Sequence, residues 1–492
     1  MKRLLPFLFV VGLLISDAKG QPKKYRVIFN CDGHAVAKDA NGSLKQWISN
    51  LFDPLASSHV EALFWCDGAG GNTANYDSKV LERTGARAGK SRKYIDKWIA
   101  QGNDPPKVIV REAHKRKLDV YYSFRINDIH DSFIPDEMAT FKVKNPKWMI
   151  GEKLYGGVKS FRSALNFAVP QVREIKFRVI EEIFQKYDFD GLEIDFLRSP
   201  PYFLPGTESK NAHLLTKLLR RVRTHLNKRA KQRKRPIHLA VRINESLKSC
   251  RMDGYDVKKW VDEGLIDIIV LGSGVMDIEV GQFTKLARPK GIHVYPCLYG
   301  WPSRYQPIPQ GLATGLALNY HAQGADGIYL FNWFAHTKNN SEATGRYMAG
   351  LMKQIGSAKA LRASQQHVMF AADRGRPQRA YQYNWLHTVI PAPLSSKPLA
   401  VELRAYGRFK KSDALSMDVE ISQLQPADVV AVKVNGNTVA GWKRIRPNRL
   451  VAPVKASQLK FGNNKVTVQL AKTDPRSKAK RVITALELKV KR

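Results

Sequence analysis

Short runs of apolar, β-branched residues alternate with longer amphipathic stretches through most of this chain. Strand-like runs fall at 25–30, 60–66, 118–124, 191–196, 237–243, 266–271, 293–298 and 327–332. Between them, apolar residues recur at helical spacing over 44–55, 94–101, 108–116, 172–186, 213–232, 256–263, 310–323 and 342–355. Strands alternating with helices predict a parallel sheet, and eight such units in roughly 330 residues fit a closed (β/α)8 TIM barrel, an α/β fold. An open doubly wound sheet is the alternative, and it brings a Gly-rich phosphate loop after an early strand. Gly68-Ala-Gly-Gly71 follows the second run, but no GxGxxG or GxxxxGK[ST] pattern is present.

After residue 360 the pattern changes. Residues 361–398 are polar and Pro-containing, a linker or packing segment, and beyond them the hydrophobic period becomes two. Runs at 400–406, 415–421, 429–434, 439–442, 465–470 and 482–490, with the hairpin signal Val434-Asn-Gly-Asn437, predict a small antiparallel β-sandwich over 399–492. Its role is either to bind glycan or to brace the barrel. At the other end, Lys2 and Arg3, an apolar run over 4–15 and Ala18-Lys-Gly20 have the layout of a signal peptide. The mature barrel is then expected over 21–360, in an exported protein, secreted or periplasmic. No later stretch reaches transmembrane length.

Net charge shifts the expected partners toward acidic ones. The chain carries 81 Lys and Arg against 43 Asp and Glu, a formal +38, and Lys2, Arg3 and Lys19 against Asp17 account for only +2 of it. Such an excess attracts polyanions. It is densest over 217–235, yet Leu214, Leu215, Leu218, Leu219, Val222 and Leu226 recur through the same stretch, so a basic solvent face of an amphipathic helix explains it as well. Cys31, Cys66, Cys250 and Cys297 lack metal-finger spacing. Cys31 and Cys66 end neighbouring predicted strands, as a disulfide or as buried thiols. His34, His130 and His293 show no HxH or HExxH pattern, and no GxSxG occurs. No metal and no cofactor is expected.

The stretch with the most chemistry is Asp190-Gly-Leu-Glu193-Ile-Asp195-Phe-Leu-Arg198. Side chains alternate along a strand, so Glu193 and Asp195 share one face while Leu192, Ile194 and Phe196 share the other. Two adjacent acids repel, and one keeps its proton near neutral pH, as a general acid beside a base or nucleophile requires. In a barrel the site lies at the carboxyl ends of the strands. Those ends offer Asn30, Asp32, Trp65, Asp67, Arg125, Arg198, Arg242, Asn244, Glu245, Asp277, Tyr295, Tyr299, Trp301, Asn332 and Trp333. Carboxylates, amides, guanidiniums and aromatic platforms together suit a sugar, whose hydroxyls need polar partners and whose C–H faces stack on rings.

Tyr187-Asp-Phe-Asp190-Gly-Leu-Glu193-Ile-Asp195-Phe-Leu-Arg198, with Pro201-Tyr-Phe203 after it, resembles the fourth strand of glycoside-hydrolase-like TIM barrels. It is similar to secreted bacterial glycosyl hydrolase-like proteins, and Gly324-Ala-Asp-Gly-Ile-Tyr-Leu-Phe-Asn332-Trp-Phe334 fits the same group. The resemblance covers about residues 25–355 and implies a (β/α)8 fold and hydrolysis of glycosidic bonds. The strand is also similar to the chitinase-type DGxDxDxE motif, except that Leu197 stands where that motif has its proton donor. The expected activity is therefore glycoside hydrolysis of a polysaccharide or oligosaccharide, acidic or sulfated polymers included. Asp195 is the expected nucleophile or base and Glu193 or Glu245 the acid. Arg198, Arg242 and Asn244 hold hydroxyl or anionic groups, and Trp65, Tyr299 and Trp333 form stacking walls. The alternatives are a non-catalytic glycan-binding barrel and a polyanion-binding envelope protein; a nucleic-acid partner is not expected.

Overall fold

Eight parallel strands pair in chain order and the last returns to the first, closing a barrel. They are β1 (Val27–Asp32), β2 (Val60–Cys66), β3 (Asp119–Arg125), β4 (Gly191–Asp195), β5 (His238–Ile243), β6 (Ile268–Leu271), β7 (His293–Tyr299) and β8 (Ile328–Phe331). The computed structural model describes residues 20–33, 40–151, 162–197, 200–272, 276, 278–299, 305, 308–333, 342–364, 367–372 and 389–492. The proposed signal segment, apart from Gly20, lies outside them, as do His34, Arg198, Asp277, Trp301 and the side chain of Asp32. Among the described residues no helix is long and apolar enough to cross a membrane.

The alternation along each strand sorts the side chains into two cores. Leu63, Trp65, Val120, Tyr122, Leu192, Ile194, Val241, Ile269, Leu298 and Leu330 pack outward into the layer shared with the helices. Ile28, Phe64, Tyr121, Ala240, Val270, Tyr295, Cys297, Tyr329 and Phe331 fill the interior. The floor of the barrel is aromatic. Phe64 stacks on Tyr121 with centroids 4.3 Å apart, the Tyr25 hydroxyl donates to Asp119 (2.8 Å), and the Tyr25 amide donates to the Tyr295 hydroxyl (2.8 Å). Gly191 opens β4 against this floor, where a Cβ would stand 2.2 Å from the Tyr121 ring and 2.8 Å from the His238 carbonyl oxygen.

The basic run resolves into the helix Glu208–Arg233, whose Leu215, Leu218, Leu219, Val222 and Leu226 are buried on the barrel. Its arginines are engaged in contacts within the chain. Arg220 pairs with Glu263 (2.6 Å) and Arg223 with Asp267 (2.5 Å), while Arg221 pairs with Glu174 and covers the Phe177 ring at 3.7 Å. Arg229 and Arg233 donate to the Phe184 carbonyl, and Arg235, just past the helix, pairs with Asp188 and Asp190 (2.6 Å each). The charge density that suggests polyanion binding here serves mainly to fasten the helix.

Cys31 and Cys66 are not disulfide-bonded. Their strands are neighbours, but Cys31 pairs in register with Trp65 and packs with the outer core, whereas Cys66 pairs with Asp32. Residues one register step apart on paired strands point to opposite faces of the sheet.

The period-two tail forms two antiparallel sheets. One holds β9 (His367–Ala371), β10 (Ala392–Pro393), β12 (Ala414–Ser422), β15 (Lys443–Arg446), β16 (Arg449–Pro453) and β18 (Val482–Lys491); the other holds β11 (Leu399–Ala405), β13 (Val429–Val434), β14 (Asn437–Thr438) and β17 (Gly462–Lys472). Residues 361–398 thus supply β9 and β10. The sequence run 439–442 is not a strand; the chain there passes from β14 to β15. The sheets dock on the barrel through the helix Gln310–Ala322, buried continuously from Leu312 to Tyr320. Gly315 is the contact point, since a Cβ there would lie 2.0 Å from the Met369 carbonyl oxygen of β9.

The tight floor at β4 yields a test. Gly191→Ala forces a methyl against the Tyr121 ring, an overpacking that costs about 1–3 kcal/mol. Thermal denaturation is expected to show the loss, with a larger drop than Gly350→Ala, a site with nothing within 4 Å.

Candidate active site

Glu193 and Asp195 both point into the barrel, one pleat apart, above the aromatic floor. Register sets their neighbours: Glu193 lies between Ser123 and Ala240, and Asp195 between Arg125 and Arg242. Both acids are sealed, Glu193 at 0% and Asp195 at 1% exposure, and Arg242 at 0% lies with them.

Burying three ionisable groups is costly unless they satisfy one another. Arg242 Nη1 donates to Asp195 Oδ2 at 2.8 Å, and its Nε donates to the Gly272 carbonyl at 3.1 Å. The guanidinium carbon also lies 3.9 Å from the centre of the Phe331 ring, within cation–π range. Gly272 ends β6 in the left-handed region (φ +97°), and a Cβ there would meet Ile278 at 2.9 Å, so glycine lets the chain turn where Arg242 bonds it. The other Asp195 oxygen accepts the amide of Leu197 at 2.9 Å. Burial works against the charge of Arg242, and Asp195 overcomes it, raising the guanidinium pKa further.

Glu193 has a different environment. Its Oε2 accepts the Ser123 hydroxyl at 2.5 Å and the Tyr329 hydroxyl at 3.0 Å, and Ser123 in turn accepts from the Asn30 amide at 3.1 Å. Its Oε1 has no hydrogen-bond partner among the described residues. Burial, and then the charge of Asp195, push its pKa from the usual 4.5 up to about 8, against the opposing pull of Arg242 and the two hydroxyls. Of this carboxyl pair, one therefore stays neutral near pH 7 while the other is ion-paired.

Glu245 belongs to the same neighbourhood. It follows β5 by two residues, is 4% exposed, and its Cγ lies 3.5 Å from where a Cβ on Gly272 would stand. The Cys297 thiol, inside the barrel on β7, is raised to about 12 by burial, with Arg242 pulling down and Asp195, Glu193 and Glu245 pushing up. Arg242, Asp195, Glu193 and Glu245 thus all act electrostatically on the Cys297 thiol.

The remaining predicted residues divide. Asn30, Arg125, Tyr299 and Asn332 lie at or beside this mouth. Arg125 sits 3.7 Å from Asp128, which holds the His130 ring at 2.6 Å; Tyr299 packs on Phe331; and Asn332, in the left-handed region (φ 50°), donates its amide to the Asn30 carbonyl. Asn244 is tied to Asp253 at 2.6 Å.

Four are placed elsewhere. Trp65 has the outward parity of β2 and packs against Trp47 and Tyr122, so it forms no stacking wall. Trp333 is also in the outer core, its indole directed at the Met348 carbonyl. Tyr295 belongs to the floor. Asp67 caps its own loop, accepting the amides of Ala69 and Asn75. Ser123, Phe331 and Gly272 are the contributors missed from sequence. Ser123 shares the parity of Arg125 on β3 and was legible from that; Phe331 and Gly272 carry no signal before the barrel closes.

No metal-binding group of three or more His, Cys, Asp or Glu exists among the described residues. No curated protein sequence matches the chain. Among solved structures it is similar to α-L-fucosidase isoenzyme 2 from Paenibacillus thiaminolyticus, at 14% identity and TM-score 0.45, over 71% of this chain but 51% of that one. It is also similar to the PgaB (BpsB) glycoside hydrolase domain from Bordetella bronchiseptica, at 12% identity and TM-score 0.44, over 68% of this chain and 99% of that one. A glycoside hydrolase family 18 N-acetylglucosaminidase from Paenibacillus barengoltzii aligns at 10% identity and TM-score 0.36, over 66% and 99%. The chain spans about half the length of the fucosidase. Residues 45–218, the stretch that carries β2 to β4 and with them Glu193 and Asp195, match the family Glycosyl hydrolase-like 10.

Proposed function

We propose that this protein is an exported glycoside hydrolase. In this reading residues 21–360 form the catalytic barrel, 399–492 an accessory sandwich, and the substrate is a polysaccharide, acidic or sulfated polymers included. The observation that carries it is the divergence of two neighbouring carboxyls: Glu193 held neutral by burial and like charge, Asp195 held against Arg242. Environments that push paired carboxyls apart in this way are how acid and base are divided in glycoside hydrolysis. The family match over 45–218 supports the same chemistry.

The proton position follows from the hydrogen bonds. Glu193 Oε2 already receives Ser123 and Tyr329, so the acidic proton resides on Oε1, the oxygen with no partner among the described residues. Glu193 protonates the departing sugar oxygen; Asp195, its charge supported by Arg242, attacks the anomeric carbon or activates water. Glu245 is the second candidate for the acid. Arg125, Arg242 and Asn30 present donors for hydroxyl or anionic groups, and Tyr299 a ring face. The runner-up is a non-catalytic glycan-binding barrel, favoured by the near-complete sealing of both acids and by Leu197, itself buried, where the chitinase-type motif has its donor.

Two measurements test this. On glycans selected from a reducing-sugar screen, Asp195→Asn is expected to lower kcat about a thousandfold or more, with binding retained. Glu193→Gln is expected to lose about 10²–10⁴-fold, and less on aryl glycosides whose leaving group needs no proton. Unchanged turnover in Asp195→Asn would overturn its catalytic role, a screen in which glycans bind but none is cleaved would establish the binder reading, and loss confined to Glu245→Gln would move the acid to Glu245.

The second measurement is stability against pH. A carboxyl whose pKa is raised on folding binds a proton that the unfolded chain has already released, so its contribution is complete below about 4.5 and is lost as pH climbs to about 8. Urea midpoints of the native protein should therefore fall across that window more steeply than those of Glu193→Gln. Parallel curves would show that Glu193 is not neutral in the folded state.

A further inference from the structure

The cations of the sandwich are not satisfied as those of the helix Glu208–Arg233 are. Residues 399–492 hold 20 Lys and Arg against 7 Asp and Glu, and no acid occurs between Asp428 and Asp474. Within that acid-free stretch Lys443, Arg444, Arg446 and Arg449 fall in seven consecutive residues. They lie on the hairpin of β15 and β16, at the end of the six-stranded sheet. Arg446 pairs in register with Arg449, and like charges in facing positions destabilise a sheet unless a counter-charge relieves them. Arg449 has one, Asp418 on β12 at 2.6 Å. Lys443, Arg444 and Arg446 form no ion pair among the described residues. Arg444 donates only to uncharged carbonyls, those of Gln425 (2.7 Å) and Pro447 (3.4 Å).

The same strand offers what a sugar needs beyond charge. All four residues of β15 are exposed, and among the described residues its outer edge is unpaired, so its backbone groups are open to hydroxyls. Ile445, 54% exposed, sets an apolar side chain between the two arginines, where a C–H face packs. No aromatic residue lies within 443–449, whereas single-stranded nucleic acid is held by rings on which its bases stack.

We propose that the β15–β16 hairpin is a binding site for an acidic polysaccharide, whose sulfate or carboxylate groups are held by Lys443, Arg444 and Arg446. The choice of a glycan rests on the glycan-acting reading of the barrel. It deepens that reading, because the sandwich then supplies affinity for the polymer and the barrel the chemistry.

The variant Lys443→Gln/Arg444→Gln/Arg446→Gln removes three exposed cations without breaking an ion pair. Arg408→Gln/Lys410→Gln/Lys411→Gln removes the same charge from another exposed stretch of the sandwich and serves as the matched control. The probes are dextran sulfate and polygalacturonate, which separate sulfate from carboxylate, with neutral dextran and single-stranded DNA beside them. At low salt the native protein is expected to bind at least one acidic polymer and not neutral dextran. The hairpin variant is expected to bind about ten- to hundredfold more weakly, with a salt slope smaller by about two to three, and the matched control within about twofold of native. Equal losses in the two variants would mean that net charge rather than the hairpin holds the polymer. Tighter binding of DNA than of either glycan would give the surface to nucleic acid, and either result overturns the proposal. So would a hairpin variant that self-associates yet binds as the native protein does, since the charges would then only guard the edge strand. Binding is read without turnover. A protein that binds through the hairpin and cleaves no glycan would uphold this site and remove the hydrolase reading; a hydrolase whose polymer binding ignores the variant would do the reverse.

Discussion

The Asp195–Arg242 ion pair inside the barrel is the interaction on which the rest of the site depends. A guanidinium and a carboxylate taken from water each carry a desolvation cost of several kcal/mol, which is offset only by close geometry and further hydrogen bonds. Here those bonds come from Gly272 and from the Leu197 amide, with Phe331 beneath the guanidinium. Because the pair is retained, its negative member stands beside Glu193, and that proximity helps to keep Glu193 protonated. Removing either partner would leave a charge buried without compensation and would shift the protonation of the remaining acid.

The surroundings are arranged for this. The tyrosine and phenylalanine floor fills the barrel beneath the two acids. The polar residues then form a graded series. Ser123 and Tyr329 donate to one oxygen of Glu193, Asn30 donates to Ser123 behind them, and Arg125 and Asp128 continue the series toward the rim. A floor of aliphatic side chains would seal equally well but would offer no hydroxyl to satisfy Tyr25 and Asp119 beneath.

Electrostatics elsewhere in the molecule shows how far charge counting can mislead. The excess of Lys and Arg suggests a polyanion surface, and its densest stretch is a helix. In the fold its arginines reach backbone carbonyls and acids of adjacent elements, where a planar multi-donor group is well suited. Fastening a long helix to the barrel by its polar edge uses the residues that a surface reading would have given to a ligand.

The barrel, the sandwich and the inward direction of Glu193 and Asp195 were determined by the sequence alone, because they follow from periodicity, and periodicity is local. Val60–Cys66 and Val429–Val434 occupy the positions their patterns predict, and the parity of β4 sorts its acids from Leu192 and Ile194. The same parity, followed along β2, turns Trp65 outward, because the phase of a strand and not the aromatic character of its end decides which face a side chain takes. What the sequence could not carry is distance between strands remote in the chain. That Arg242 meets Asp195, that Tyr329 reaches Glu193 from the eighth strand, that Tyr295 closes the floor and that Glu487 of the sandwich receives the Tyr305 hydroxyl from the barrel were decided by barrel closure and by docking. Both are properties of register and packing, and no single segment encodes them.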